Sequence, residues 1–246
     1  KENDPKIFLI NSLKKLKRKL DLKKDICGVM IETFQGWGAI YYPKEYLKLL
    51  SQICKSNDIL VSFDEMQSGF ARTGYRFGYE YYQIKPDLIC CGKGMGGGIP
   101  ISGVIGKKNI MDLPEVGNMS STNSANPLSC SAGLAVIDEI NKKKLVLKAR
   151  TKGKIMHDYL NLIKEKSKVK FNIYGKGLIA AVVFDPNITD IKKKLKLVVV
   201  NCMKEGVLLV YTGRESIKLG PPLTISESAL IEGLSVFKKN LLKTFS

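Results

Sequence analysis

A single histidine, His157, occurs in the 246 residues, and that scarcity removes most of the familiar catalytic options. A Ser-His-Asp relay or a histidine-rich metal centre would have to be built around this one imidazole. It sits in a charged helical stretch with no partner motif, so it reads as incidental. Six cysteines (Cys27, Cys54, Cys90, Cys91, Cys130 and Cys202) contain no Cys-x-x-Cys pair and mostly lie in apolar segments. That argues against a disulfide or zinc framework and for free thiols in a reducing compartment, with the cytoplasm as the expectation. No run approaches the ~20 apolar residues of a membrane span. The lysine-rich start also lacks the apolar stretch of a signal peptide. Internal repeats and low-complexity linkers are missing too.

Acidic residues are scarce as well: 23 against 40 Lys and Arg, a formal charge of +17. Such an excess raises nucleic-acid binding as a possibility. The lysines, however, alternate with leucines at helical spacing in "NSLKKLKRKLDLKKD", "NKKKLVLKARTKGK" and "DIKKKLKL". Solvated faces of amphipathic helices account for them. No aromatics are interleaved as a base-stacking surface would require, so neither nucleic acid nor membrane is expected as a partner.

What is present is an ordinary globular composition, 44% apolar and 26% charged, in a chain long enough for one large domain or two smaller ones. The first half alternates strands and helices. Residues 26–32 form a nearly continuous apolar run ending in an acid, as a buried parallel strand would. Pro43 opens a helix to about Asn57, with Tyr46, Leu47, Leu50, Ile53 and Cys54 on one face. Further strands are expected over 59–63, 88–91 and 101–105, and a long helix from Pro127. After "NKKKL" the pattern changes to a lysine-rich helix, strands at 170–174 and 178–184, a helix over about 191–205, strands at 207–211 and 216–219, and a final helix from about Ser226. We place a domain boundary there, giving 1–144 and 145–246. The first part is an α/β domain with polar residues at its strand ends, where open α/β sheets bind ligands.

The segment "DLICCGKGMGGGIPISG", residues 87–103, embeds Lys93 in glycines after an apolar run. It is no P-loop, because Gly96, Gly97 and Gly98 follow the lysine rather than precede it, and no Ser or Thr comes next. Gly92, Gly94 and Gly97 match the dinucleotide spacing, but Pro100 and the β-branched residues beyond resist the helix that a pyrophosphate needs. A lysine that attacks carbonyls must be partly desolvated, and flanking glycines allow close approach to its backbone. A surface lysine in a flexible turn is the plainer alternative. The rest of the chain must decide between these two.

Asp64 ends the preceding strand, 29 residues before Lys93. A Schiff-base lysine and a carboxylate that keeps a pyridinium nitrogen protonated are the two requirements for pyridoxal phosphate as an electron sink. With "FDEMQSGFARTG", "PDLICCGKGMGGGIP", "SSTNSANPLSCSAGLAVID" and "LGPPLTIS" in that order, the chain resembles class III (omega-) aminotransferases from about residue 25 onward. The resemblance implies part of a fold-type-I large domain, with a mixed and mostly parallel sheet, plus a small C-terminal α/β domain. It implies a homodimer with shared active sites that moves an amino group between a primary amine or amino acid and a 2-oxo acid through pyridoxal 5'-phosphate. A decarboxylase or aminomutase on the same fold, or a non-catalytic remnant, stays open beside it.

Residue by residue, the resemblance implies that Lys93 forms the Schiff base. Asp64 would pair with the pyridine nitrogen, Met66 would pack on the ring face, and Gln67 would lie near the ring hydroxyl. Thr122 would bind the cofactor phosphate of the neighbouring subunit, with helix capping near Pro127 as its simpler alternative. Glu32, in "IETFQGWG", matches a glutamate that gates a carboxylate-binding arginine in relatives. Lys218, in "SIKLGPPLT", stands where that arginine is common. It supplies charge but no planar fork. Relatives are also longer, so the chain is expected to be a fragment or a truncated reading frame.

Overall fold

The computed structural model describes residues 5–22 and 26–245, and these fall into two compact units. Residues 23–25, which close the first lysine-rich run, lie outside the described residues. The first unit contains 1–33, 42–69 and 77–138, and the second contains 34–41, 70–76 and 139–246.

The first unit opens with α1 (Pro5–Leu22). Leu13 and Leu20 are buried while the intervening lysines are exposed, the arrangement expected of a solvated lysine face. Its sheet takes the order β1 (Gly28–Glu32), β4 (Leu60–Asp64), β5 (Leu88–Cys91) and β6 (Gly103–Gly106). β1, β4 and β5 run parallel, and β6 returns antiparallel to β5. Between β1 and β4, α2 (Lys44–Ser56) buries Leu47, Leu50 and Cys54, most of the face read from the sequence. Pro43 stands just before its first turn, where a missing N–H costs nothing. β1 departs from expectation: it alternates exposed and half-buried residues, with the apolar Met30 among the exposed ones. Among the described residues only β4 pairs with it, so β1 is an edge strand rather than a buried one. The unit continues through α3 (Lys108–Met111) into α4 (Pro127–Lys142), within which the division between units falls.

The second unit is an antiparallel sheet in the order β7 (Phe171–Lys176), β8 (Ile179–Phe184), β10 (Ser216–Leu219) and β9 (Val210–Tyr211). β9 is shorter than the 207–211 expected, and Leu208 before it is exposed. Three helices supply apolar stripes to one face: α5 (Leu145–Lys166) with Met156, Leu160 and Ile163, α6 (Ile191–Lys204) with Leu195, Val198 and Cys202, and α7 (Glu227–Thr244) with Leu230, Leu234, Phe237 and Leu241. Ser226 caps α7, its Oγ accepting the Ala229 N–H at 3.1 Å, as the sequence signalled. The other face of β8 is also buried. Ile179 and Ala181 pack with Phe34 and Ala39 of the hairpin formed by β2 (Phe34–Gln35) and β3 (Ile40–Tyr41). That two-sided burial explains why β8 reads "IAAVVF" without alternation. Close approach fixes one helix position: a Cβ on Gly153 would lie 2.3 Å from the Gly177 carbonyl oxygen.

No helix among the described residues is long and apolar enough to cross a membrane.

Candidate active site

Three parallel strands end together at one edge of the first unit's sheet. Register pairs Glu32 with Asp64, and Asp64 with Cys90, so Glu32, Asp64 and the Cys90–Lys93 run share that edge. A carboxyl edge of this kind is the ligand-binding side of an open parallel sheet. Asp64 is half-buried, and its Oδ1 accepts the Met66 N–H at 2.9 Å. This turn fixes the carboxylate relative to the chain that follows. The two loops interlock next: Met66 Sδ would lie 2.4 Å from a Cβ on Gly92, so only glycine fits there without displacing the thioether. Lys93 follows immediately. Its φ of 43° and its exposed side chain lift the amine out of the sheet edge at the start of a 3-10 turn to Gly96.

Among the sequence-chosen residues, then, the fold brings Glu32, Asp64, Met66 and Lys93 to one sheet edge, with Gln67 half-buried in the turn after Met66. It leaves Thr122 elsewhere, in a run over 112–126 that is exposed throughout. The helix-capping alternative for Thr122 does not hold. Asn126 does that work, its Oδ1 accepting the N–H groups of Leu128 and Ser129 at 3.0 and 3.4 Å. Lys218 lies in the second unit on β10, where its Nζ donates to the Gly36 carbonyl at 2.9 Å.

Sequence reasoning passed over Glu65, which the structure makes prominent. Its carboxylate is fully buried. It accepts from the Thr33 and Ser68 hydroxyls and from the Gly78 and Tyr79 N–H groups, the latter three at 2.8, 2.7 and 2.8 Å. Four donors fill the acceptor capacity of one carboxylate. Burial pushes its pKa up, and the donors work against that rise. The geometry is simple. Consecutive residues at a strand end point oppositely, so Asp64 faces the open edge while Glu65 turns inward and ties 65–79 to the end of β1. The signal was the second acid of "FDE", read only as the neighbour of Asp64.

The second unit holds an equally unforeseen cation. The half-buried Arg72 guanidinium donates to the carbonyls of Leu178 at 2.9 Å and Pro221 at 2.5 Å, and desolvation lowers its pKa. It ties the 70–76 segment to two distant parts of its unit.

The family model for class-III aminotransferases matches residues 1–241. This chain belongs to that family. It is 36% identical to the acetylornithine/succinyldiaminopimelate aminotransferase of Buchnera aphidicola over 239 residues, 96% of this chain and 56% of that protein. It is 33% identical to the acetylornithine aminotransferase of Clostridium acetobutylicum, covering 94% of this chain and 58% of that one. Among solved structures it superimposes on the ornithine delta-aminotransferase of Plasmodium falciparum with a TM-score of 0.86 at 26% identity, over 95% of this chain and 60% of that one. The chain spans somewhat over half the length of the curated relatives it matches, and its α/β architecture is that of the class-III aminotransferases.

Proposed function

We propose that this class-III aminotransferase chain moves an amino group between a primary amine or amino acid and a 2-oxo acid, using pyridoxal 5'-phosphate. One observation carries the reading: an amine, Lys93, and a carboxylate, Asp64, stand at the C-terminal ends of adjacent parallel strands, coupled through the Met66–Gly92 contact. The donor set fits the cofactor, since one side needs a nucleophilic amine and the other an anion for a protonated ring nitrogen. When bound, pyridoxal phosphate supplies an electron sink for the bonds at the substrate's α-carbon.

The chain's own residues do the rest. Lys93 presents an exposed ammonium that, once deprotonated, attacks a carbonyl carbon and later carries a proton at Nζ. Asp64, held by the Met66 N–H, keeps a negative charge at a fixed place on the edge. Glu65 keeps that turn in place from beneath. Met66 offers a thioether to a flat ring, and Gln67 a polar group beside it. Glu32 and Lys218 are the candidate substrate-facing residues. Residues 1–144 serve in this reading as the cofactor-binding large domain and 145–246 as the small one.

The same proposal includes a homodimer in which Thr122 holds the neighbouring subunit's cofactor phosphate. It is supported by the exposed apolar side chains of Leu113, Val116, Met119, Leu128 and Leu134, which flank that threonine in the sequence and are candidates for burial against a second copy. The cytoplasm as compartment is supported by six cysteines that are all unbridged.

The test is spectroscopic. Full-length protein titrated with pyridoxal phosphate develops a saturable visible absorbance band, and the Lys93→Ala variant does not while keeping its fold by circular dichroism. A band that persists unchanged in that variant removes Lys93 from the reading.

A further inference from the structure

The register that pairs Glu32 with Asp64 makes Thr33 and Glu65 the next pair, one residue past the strand ends and on the inward side. Their side chains meet directly, Thr33 Oγ1 donating to Glu65 Oε1. A short 3-10 helix, Gly78–Tyr82, closes the arrangement. Its first two N–H groups go to the two Glu65 oxygens at 2.7 and 2.8 Å. Only glycine fits at its first residue: a Cβ on Gly78 would lie 2.7 Å from Thr33 Cγ2 and 2.8 Å from Ser68 Cβ. All of these residues belong to the first unit.

The last residue of the 3-10 helix reaches back to the same threonine. Tyr82 is fully buried, and its hydroxyl donates to the Thr33 carbonyl at 2.7 Å while accepting the Tyr42 N–H at 3.1 Å. Burial raises the pKa of the phenol, so the oxygen keeps its proton and does both at once. Tyr81 packs edge-on against the ring, with centroids 5.0 Å apart. One oxygen thus joins the two ends of the 34–41 segment, since Thr33 precedes it and Tyr42 follows it. The circuit Tyr82–Thr33–Glu65–Gly78 closes through the 3-10 helix, and all four of its members are buried. In such a circuit each bond stiffens the next, and a missing one strands buried partners.

We propose that Tyr82 is a positioning residue of the candidate site: its hydroxyl locks Thr33 and, through the Thr33–Glu65 bond, sets where the Glu32 and Asp64 carboxylates stand at the sheet edge. Tyr82 acts through its neighbours, on the inward pair, and thereby on the outward pair that shares their backbone. The proposal rests on the transaminase reading for its meaning, but its first test needs no cofactor.

Two amides report the circuit: Tyr42 N–H, bonded to the Tyr82 hydroxyl, and Met66 N–H, bonded to Asp64 Oδ1. In residue-resolved hydrogen exchange on the full chain, Tyr82→Phe keeps the ring and loses only the hydroxyl. It speeds exchange at Tyr42 on the order of 10–100-fold and at Met66 on the order of 5–10-fold. Thr33→Val cuts the link to Glu65 alone: Met66 exchange rises by itself, and adding Tyr82→Phe raises it no further. Phe237→Leu, a change in the apolar core of the second unit, moves neither amide, which separates positioning from a general loss of stability. In the cofactor-loaded protein, Tyr82→Phe weakens pyridoxal phosphate binding on the order of 10-fold. A Tyr82→Phe variant with wild-type exchange at Tyr42 or at Met66 overturns the proposal. So does a double variant whose effects on Met66 simply add. A Lys93→Ala variant that keeps its absorbance band, with both amides responding as stated, overturns the transaminase reading instead and leaves the positioning role standing.

Discussion

The two units bury different things. In the second, nearly every buried side chain is apolar, from Leu160 and Phe237 to both faces of β8, and the buried polar groups there are Thr73, Ser216 and Asn240. The first unit takes a whole carboxylate out of solvent, Glu65, and surrounds it with the buried Thr33 and Ser68. The contrast shows how each unit specifies itself. Apolar packing fixes the second through volume, tolerant of direction. A buried, fully hydrogen-bonded carboxyl group fixes the first through direction, and it does so one residue away from Asp64, on which the proposed function relies.

The strongest way to break that contrast is Glu65→Gln. The amide keeps shape but turns one acceptor into a donor among four converging donors. It therefore strands at least one of the Gly78 and Tyr79 N–H groups or the Thr33 and Ser68 hydroxyls. Urea unfolding is expected to show a loss of about 3 kcal/mol, together with weaker cofactor binding, since the Asp64 turn loses its anchor. A variant with unchanged midpoint and unchanged cofactor affinity would mean that the network is decoration.

A smaller effect sharpens the other side of the comparison. His157 lies part-buried on α5 with its Nε2 unpartnered. Burial lowers its pKa, Lys176 lowers it further, and the Ile179 and Gly177 backbone groups and Asp158 act against that. A histidine with a depressed folded-state value stays neutral while the unfolded chain takes up a proton. Its contribution is therefore complete above about 6.5 and is lost as pH falls below that value. Because no other histidine exists, the urea midpoint of wild type is expected to drop between pH 7.5 and 5.5 by more than that of His157→Asn. Equal slopes would show that the second unit admits a charge at this position without strain. The sequence reading of His157 as incidental concerned catalysis, and it missed this structural part.

How much was legible follows from which forces leave a local trace. Periodicity marked α2 through Leu47, Leu50 and Cys54, and the Ser226 cap marked α7, because burial and capping act over one or two turns. Strand ends with acids marked the Asp64–Lys93 edge, since parallel strands put polar residues at their carboxyl ends. Long-range pairings left no such trace. Nothing local in "QGWGA" or "TGRES" says that Arg214 meets Trp37 across 177 positions (214 − 37), or that Arg72 reaches Leu178 and Pro221. Edge exposure was equally hidden: the apolar run of β1 promised burial on both sides, and among the described residues the sheet gives it one neighbour.

The smallest effect on stability is expected at Thr122, and it tests the comparison from outside either core. Its side chain is exposed in a run whose hydrogen bonds are made by Ser120, Ser121, Ser124 and Asn126 instead. Thr122→Ala should therefore leave the unfolding midpoint within about 0.5 kcal/mol of wild type. If this hydroxyl serves a neighbouring copy, the same variant weakens cofactor binding only at protein concentrations where sedimentation shows a dimer, and leaves dilute protein unaffected. A residue acting within its own chain would show the deficit at every concentration. The first unit would then be split between a buried carboxylate that orients its own loop and an exposed hydroxyl that acts on another subunit, which is why only the former can be seen at work in a single chain.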